Sequence, residues 1–347
     1  MFLRDQWYVA AWSEDVGEAP LARTILGEML VLYRLADGTP VALEDRCCHR
    51  GLPLSLGRVE GNRVRCGYHG LVFDETGACV EVPGQSAIPP GANVKAYPVV
   101  ERYRWIWIWM GDPALADAAL IPDWWWADDP EWGYIPGRLL HIACDYELIT
   151  DNLLDLTHLA YVHSATIGTG AITDFPVKSE RLTDRVRMSR WVLDGPPPPT
   201  FREAGGFTGN VDRWQAVDTL APCHSVVYAG CAPVEAGIVG ADFTGRVPDG
   251  INIRALNAPT PETETSTFYF YGHARDFRID DEAWAATMYE QFLKTFLEDV
   301  DILEAQQRSL DGDPDAPLID INVDAPGLAA REMLRQRIKD EARVAAG

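Results

Sequence analysis

The chain has 347 residues, of which 47% are hydrophobic and 24% are charged, which is typical of a soluble globular protein long enough for two domains. Its 52 acidic residues outnumber its 30 basic residues and leave a formal net charge of −22. This balance argues against nucleic acid or an anionic membrane as a partner, because both bind basic surfaces. We expect no membrane span, no signal peptide and a cytoplasmic location, since long apolar runs are absent and the first residues include Arg4 and Asp5.

The first third of the chain has the pattern of β structure. Short apolar runs at residues 29–33, 40–43 and 94–99 alternate with Gly, Pro, Asp and Asn. The alternating Trp and Ile of Trp105–Trp109 predict a core strand that is buried on both faces. Gly111-Asp112-Pro113 ends this pattern. We therefore predict one domain over residues 1–112 and a second over residues 113–347.

The second domain mixes helical and strand patterns. Residues 145–161 have helical spacing, and residues 176–275 contain short strand-like pieces interrupted by the Pro196–Pro199 loop. Apolar residues at steps of three and four predict a long helix from Asp281 to Leu310, and a short helix is expected after Pro326. The predicted fold class is α+β, with an all-β domain followed by a mixed domain.

Two cysteines and two histidines occur as paired motifs in the first domain. Cys47-x-His49 is followed by Cys66-x-x-His69, so each motif offers one sulfur and one nitrogen ligand. A structural zinc site more often groups its cysteines in one motif and its histidines in the other. The mixed arrangement favours a Rieske [2Fe–2S] cluster, in which one iron takes both thiolates and the other takes both imidazoles.

A second set of metal-binding residue types lies between Asn152 and His163. Asp155 and His158 are three residues apart and share a helix face, whereas His163 is five residues beyond His158. Both histidines can reach one metal only if the helix ends or bulges between them, which Val162–Gly168 allows. Two histidines and a distant carboxylate form the facial triad of non-haem Fe(II) oxygenases. Buried structural histidines are the alternative, but a Rieske cluster favours iron because its electrons need an acceptor.

The third ligand must come from elsewhere, and the predicted long helix carries three acidic candidates. Asp299 adjoins Phe296 and Val300 of the apolar stripe and can face inward, whereas Glu298 and Asp301 are expected to be solvated. Asp299 is therefore preferred. His141, His224 and His273, and Cys79, Cys144, Cys223 and Cys231, have no ligand spacing and are interpreted mainly as structural residues.

These motifs, in this order, resemble the oxygenase component of Rieske non-haem iron oxygenases, above all the vanillate and dicamba O-demethylase group. The resemblance covers the whole chain. Its segments are DQWYVA, CCHRG, CGYHGL, ERYRWIWIWMGDP, ACDYELITDNLLDLTHLAYVH, TPETETSTFYFYG and FLEDVDILEAQQR. One departure is Cys48, at a position that is commonly proline in this group.

The resemblance implies a role for each candidate site residue. The [2Fe–2S] ligands would be Cys47, His49, Cys66 and His69, and the ligands of a mononuclear Fe(II) would be His158, His163 and Asp299. Asp155 would link the two centres of neighbouring subunits through His69. Asp155 and Asn152 are the candidate catalytic side chains.

The resemblance also implies a helix-grip catalytic domain, an antiparallel sheet with helices, and a homotrimer with head-to-tail subunits. A separate NAD(P)H-dependent flavin and iron–sulfur reductase would supply electrons. The implied reaction is O₂-dependent hydroxylation of an aryl methyl ether, such as a methoxybenzoate, giving a phenol and formaldehyde. Asn257, Arg254 and His273 are candidate anchors for an aromatic carboxylate.

Three alternatives remain at the level of the sequence. A Rieske monooxygenase could hydroxylate or N-demethylate another aromatic substrate. A Rieske electron carrier with an appended domain is disfavoured by the second histidine pair. A zinc-stabilised binding module would lack the visible absorption of an iron–sulfur cluster.

Overall fold

The computed structural model describes residues 1–163 and 175–346. The chain folds into two compact units. Unit 1 comprises Met1–Ile121, Thr260–Thr263 and Glu341–Gly347, and unit 2 comprises Pro122–Pro259 and Glu264–Asp340. Within the described ranges, every helix is too short or too polar to cross a lipid bilayer.

Unit 1 is built from three small antiparallel sheets. Their orders are β1-β11-β10, β2-β3-β4-β9 and β5-β6-β7-β8. The strands are β1 (Trp7–Trp12), β2 (Leu21–Ile25), β3 (Glu28–Arg34), β4 (Pro40–Glu44), β5 (Arg58–Glu60), β6 (Arg63–Arg65), β7 (Val72–Phe73), β8 (Cys79–Glu81), β9 (Ala96–Tyr97), β10 (Val99–Arg102) and β11 (Trp105–Trp109).

The strand β11 is central in its sheet and all five of its residues are buried, as predicted. Its tryptophans pack edge-to-face against those of β1, with ring centroids 5.5 Å apart for Trp7 and Trp109 and 5.2 Å apart for Trp12 and Trp105. The alternating tryptophans therefore fill a core.

Unit 2 contains one eight-stranded antiparallel sheet in the order β12-β19-β18-β17-β16-β15-β14, with β13 also paired to β19. Its elements are β12 (Gly133–Pro136), β13 (Leu140–Ile142), α1 (Tyr146–Leu154), β14 (Lys178–Arg181), β15 (Arg185–Gly195), α2 (Pro199–Gly205), β16 (Val211–Leu220), β17 (His224–Pro233), β18 (Ile251–Thr263), β19 (Ser266–Arg275), α3 (Glu282–Gly312) and α4 (Ala325–Ala346). The α+β fold class is thus confirmed.

The long helix α3 packs along the sheet by its predicted apolar stripe. Asp281 caps its first turn by accepting a hydrogen bond from the Trp284 N–H at 2.9 Å. Phe296 stacks on Tyr271 of β19, with ring centroids 4.0 Å apart, and Met288 and Leu303 are buried. A sheet with a helix held against one face is the helix-grip arrangement that the family resemblance implies.

Three details differ from the predictions. The strands β15–β19 are 10 to 13 residues long rather than short. Polar residues interrupt their apolar pattern in the sequence, but the strands continue through these residues. Helix α1 ends at Leu154 because the backbone of Asp155 is extended, so the helical pattern of residues 145–161 does not form one continuous helix. The C-terminal helix α4 has 22 residues and is not short.

Candidate metal centres

Two matched loops in unit 1 carry the paired Cys and His motifs, one between β4 and β5 and one between β6 and β7. In each, the cysteine N–H donates to the carbonyl five residues on, and a glycine four residues on donates back to the cysteine carbonyl. These bonds are Cys47 to Leu52 (2.9 Å), Gly51 to Cys47 (2.9 Å), Cys66 to Leu71 (2.8 Å) and Gly70 to Cys66 (3.1 Å). Gly51 and Gly70 have φ of +73° and +75°, a left-handed conformation that favours glycine.

The loops bury their sulfurs and expose their imidazoles. Cys47 and Cys66 are each 2% exposed, whereas His49 and His69 are exposed with ring centroids 4.5 Å apart. Burial, together with the nearby Cys66 thiol, raises the pKa of Cys47 to about 11, against a hydrogen bond from the His49 backbone. Two deep sulfurs beneath two outer imidazoles fit a Rieske cluster. Cys48 is exposed beside this site.

In unit 2, His158, His163 and Asp299 bring one ligand atom each within 4.8 Å of one another. Asp299 Oδ1 lies 3.0 Å from His163 Nε2 and 3.6 Å from His158 Nε2. The histidines reach one point because α1 ends before them and a short 3₁₀ turn, His158–Ala160, follows. The helix therefore ends before His158 rather than between the two histidines, and most of residues 162–168, where a break was expected, lies outside the described residues.

The Nδ1 atoms of both histidines are held by oxygen acceptors, which directs their Nε2 atoms toward Asp299. His158 Nδ1 contacts the main-chain oxygen of Asp155, and His163 Nδ1 lies 2.9 Å from Glu298 Oε2. Glu298, expected to be solvated, is a partner of His163 instead. Burial lowers the pKa of His158, whereas Asp299 and Glu298 raise the pKa of His163 against the effect of burial. This donor set fits Fe(II).

The two candidate catalytic side chains flank this triad in different ways. Asn152 Nδ2 donates to Asp299 Oδ1 at 3.2 Å. The Asp155 carboxylate accepts a hydrogen bond from the Thr157 N–H at 2.8 Å, and the Asp155 backbone carbonyl, not the carboxylate, contacts His158 Nδ1. Asn152 thus positions a triad carboxylate, and the backbone of Asp155 positions a triad histidine.

The triad opens into a mostly apolar cavity of about 140 Å³. That volume is close to the roughly 150 Å³ of a cavity known to hold benzene. The lining includes Leu153, Leu156, Leu159, Phe201, Val227, Ala229, Ile253, Ala255, Phe292 and Phe296. The arrangement can hold one aromatic ring next to a metal that keeps coordination positions open.

Two of the three predicted substrate anchors, Asn257 and His273, line this cavity. Arg254 lies on the other face of β18, where its guanidinium packs over Trp132 with 5.2 Å to the ring centroid. Arg213 of β16, which no sequence motif marks, also lines the cavity. Both faces of β16 carry polar residues, so the alternation of polar and apolar residues does not distinguish Arg213.

Comparisons with known proteins match the two parts of the chain to two known domains. Residues 6–98 match the Rieske [2Fe-2S] domain, and residues 142–340 match the vanillate O-demethylase oxygenase C-terminal domain. The iron–sulfur subunit of a toluene-4-sulfonate monooxygenase system from Comamonas testosteroni is 43% identical, over 98% of each chain. The vanillate O-demethylase oxygenase subunit of Pseudomonas sp. (strain HR199 / DSM 7063) is 41% identical, over 96% of this chain and 94% of its own.

Among solved structures, dicamba monooxygenase bound to 3,6-dichlorosalicylic acid superimposes with a TM-score of 0.90. It is 34% identical and the match covers 98% of this chain and 99% of that one. The fold and the motifs together define a Rieske-type oxygenase component. The chain belongs to the family that joins a Rieske [2Fe-2S] domain to a vanillate O-demethylase-type C-terminal domain. The resemblance predicted from the motifs is confirmed.

Proposed function

We propose that this protein is the oxygenase component of an aromatic O-demethylase. The observation that carries the proposal is the triad of His158, His163 and Asp299, which opens onto an apolar cavity with room for one aromatic ring. The overall reaction would consume an aryl methyl ether, O₂, two electrons and two protons. It would release a phenol, formaldehyde and water, with one oxygen atom inserted into a methyl C–H bond before the methyl C–O bond breaks.

The proposed ligands follow from the donor sets of the two units. Cys47 and Cys66 would hold one iron of the cluster, His49 and His69 would hold the other, and the triad would hold a mononuclear Fe(II). When bound, these groups supply electron transfer and O₂ activation. Asn152, Asp155 and Glu298 would fix the triad by their contacts with its ligands.

The chain's own residues would bind and orient the substrate. The leucines of α1 and the segment after it, and Phe292 and Phe296 of α3, enclose a ring and exclude water. Exclusion of water strengthens every polar interaction in the cavity. A substrate ring held inside the cavity would place its methyl group next to the triad. The reaction requires this closeness between the methyl group and the metal site.

We further propose a homotrimer in which the Asp155 carboxylate links the mononuclear site to His69 of a neighbouring subunit. A separate NAD(P)H-dependent flavin and iron–sulfur reductase would deliver the electrons, in line with relatives named as components of multi-protein systems. The cytoplasmic location stays a prediction from composition.

A second candidate function is hydroxylation of a ring methyl group without loss of formaldehyde. The 43% identity to the toluene-4-sulfonate monooxygenase subunit favours it. The two activities need the same metal site and differ in whether the methyl carbon is attached through oxygen.

The test is substrate-dependent product formation with a surrogate reductase and NADH. We expect 4-methoxybenzoate or an isomer to release formaldehyde in equal amount to the phenol. Oxygen consumption with 4-methylbenzoate that yields a benzylic alcohol, with no formaldehyde from any methoxybenzoate, would select hydroxylation instead.

A further inference from the structure

The cavity of unit 2 has a polar group of side chains on the sheet. Arg213 and Gln215 both line it and lie two residues apart on β16, so they share one face of the sheet. Arg213 is 2% exposed and Gln215 is 6% exposed. Both are therefore polar groups built into the interior rather than surface residues.

Strand register places this polar group away from Asn257. Arg213 pairs with Cys231 on β17, and Cys231 pairs with Ile251 on β18. Asn257 also lines the cavity, six residues further along β18, which corresponds to roughly 20 Å of strand. Arg213 and Asn257 thus belong to opposite ends of the sheet face that the cavity covers.

The triad lies at the Asn257 end. The Tyr269 hydroxyl donates to Asn257 Oδ1 at 2.8 Å, and the Tyr269 ring centroid lies 5.4 Å from that of Phe296, three residues before Asp299 on α3. His273, four residues further along β19, stacks on Phe292 with ring centroids 3.7 Å apart. Asp299 is seven residues beyond Phe292 on α3, or roughly 10 Å along the helix axis. The cavity therefore runs from Asp299 toward Arg213.

The chemistry of the far end suits an anion. The Arg213 guanidinium lies 5.5 Å from the centroid of the Phe201 ring. Burial lowers the pKa of Arg213 to about 10, which leaves it charged at neutral pH. Beside it, the Gln215 side chain carries an amide NH₂ group, which can donate hydrogen bonds to an anion. A carboxylate or sulfonate placed here would meet a cation at low dielectric constant, where charge-assisted hydrogen bonds are strong.

We propose that Arg213, with Gln215 beside it, binds the anionic group of an aryl carboxylate or aryl sulfonate and so directs the opposite end of the ring to the triad. The assignment of the reacting end rests on the proposed function, whereas the anion site rests on the cavity itself. The inferred substrate class is an arene with the anion at one end and a methoxy or methyl group at the other.

The test measures binding to the oxidised holoenzyme without reductase, so that no turnover occurs. Calorimetry would compare 4-methoxybenzoate with its neutral isostere 4-methoxybenzamide. We expect wild type to bind the benzoate at least about tenfold more tightly than the amide. Arg213→Met should reduce this preference to within about twofold. Arg254→Met is the matched control, a buried arginine on the other face of the sheet, and should keep the wild-type preference.

Equal affinity of wild type for the two probes, or binding of neither, overturns the proposal. Retention of the preference in Arg213→Met overturns it as well. If Arg213→Met does not fold, Arg213→Lys takes its place, and weaker binding of the benzoate with unchanged binding of the amide is expected. Anion selectivity that depends on Arg213 but comes without formaldehyde release would reject the demethylase function alone. Formaldehyde release with selectivity independent of Arg213 would reject the anchor alone.

Discussion

His163 faces the triad through Nε2 because its Nδ1 is held by Glu298. We predict that Glu298→Ala lowers iron affinity by about 10- to 100-fold, since the loss of such a partner leaves the imidazole free to rotate. Iron retained after dialysis against a graded series of chelator concentrations measures it. Asp301→Ala, an exposed carboxylate on the same helix, is the control and should retain iron as wild type does. Equal retention in both variants would contradict the role given to Glu298.

Asp155→Asn separates the charge of Asp155 from its local contacts. An asparagine can still accept the Thr157 N–H, and the backbone carbonyl that contacts His158 is unchanged. We therefore predict normal iron content and a reducible cluster with near-zero turnover, because only the proposed link to His69 is lost. Single-turnover oxidation of the pre-reduced cluster by O₂ and substrate is the measurement. Oxidation as fast as in wild type would rule out the link.

His273 gives stability a defined pH dependence. Burial lowers its pKa to about 3, so the folded protein keeps it neutral while the unfolded chain gains a proton below about pH 6.5. Stability is therefore lost as pH falls through that value, by about 2 kcal/mol between pH 7 and pH 5. Urea unfolding of wild type and His273→Asn at both pH values measures it. The loss should be smaller in the variant by about this amount, and parallel losses would refute the assignment.

At the residue scale, the sequence could predict the candidate ligands but not the side chains that contact and orient them. Cys47, His49, Cys66 and His69 are grouped in short motifs whose spacing is itself the signal. Glu298 and Arg213 carry no such signal, because their importance depends on strand register and helix rotation. A charged residue next to an apolar stripe is usually solvated, so the sequence predicts a solvated Glu298, whereas its carboxylate contacts His163.

At the scale of elements, helix α1 carries Asn152 and is followed closely by the triad residue His158. Helix α4 holds α1 in place through ion pairs. Arg331 of α4 donates to Asp151 of α1, with Nε 2.9 Å from Oδ2, and its Nη1 lies 3.3 Å from Glu147 Oε2. We predict that Arg331→Met lowers the free energy of unfolding by about 1.5–3 kcal/mol, since two partly buried carboxylates lose their cation. Urea denaturation tests this against Lys339→Met, an exposed change on the same helix. A variant as stable as the control would show that α1 does not need the ion pairs of Arg331.

The long helix α3 was predictable to within two residues at its C-terminus because its apolar stripe recurs from Met288 to Leu303 and Asp281 supplies a cap. The end of α1 was not. Helical spacing continues through Asp155 and His158, and only the extended backbone at Asp155, with its carboxylate bound to Thr157, breaks the helix. A local side-chain to backbone hydrogen bond of this kind cannot be recognised from hydrophobic periodicity.

At the scale of the molecule, two separate compact units each carry one set of metal-binding residues. The presence of both motifs in one chain indicated the class of protein, because a Rieske cluster donates electrons and a mononuclear iron site accepts them. The identity of the substrate depends on cavity walls from β16, β17, β18, β19 and α3, which only the fold brings together.

Analysis of iron and acid-labile sulfide in wild type and in His158→Ala tests the central claim of two independent iron centres most directly. Wild type should contain about three irons and about two sulfides per chain, from one [2Fe–2S] cluster and one mononuclear site. His158→Ala should fall to about two irons with an unchanged red-brown visible spectrum. Loss of the visible bands in this variant, or zinc in place of iron in wild type, would contradict the assignment of the two centres.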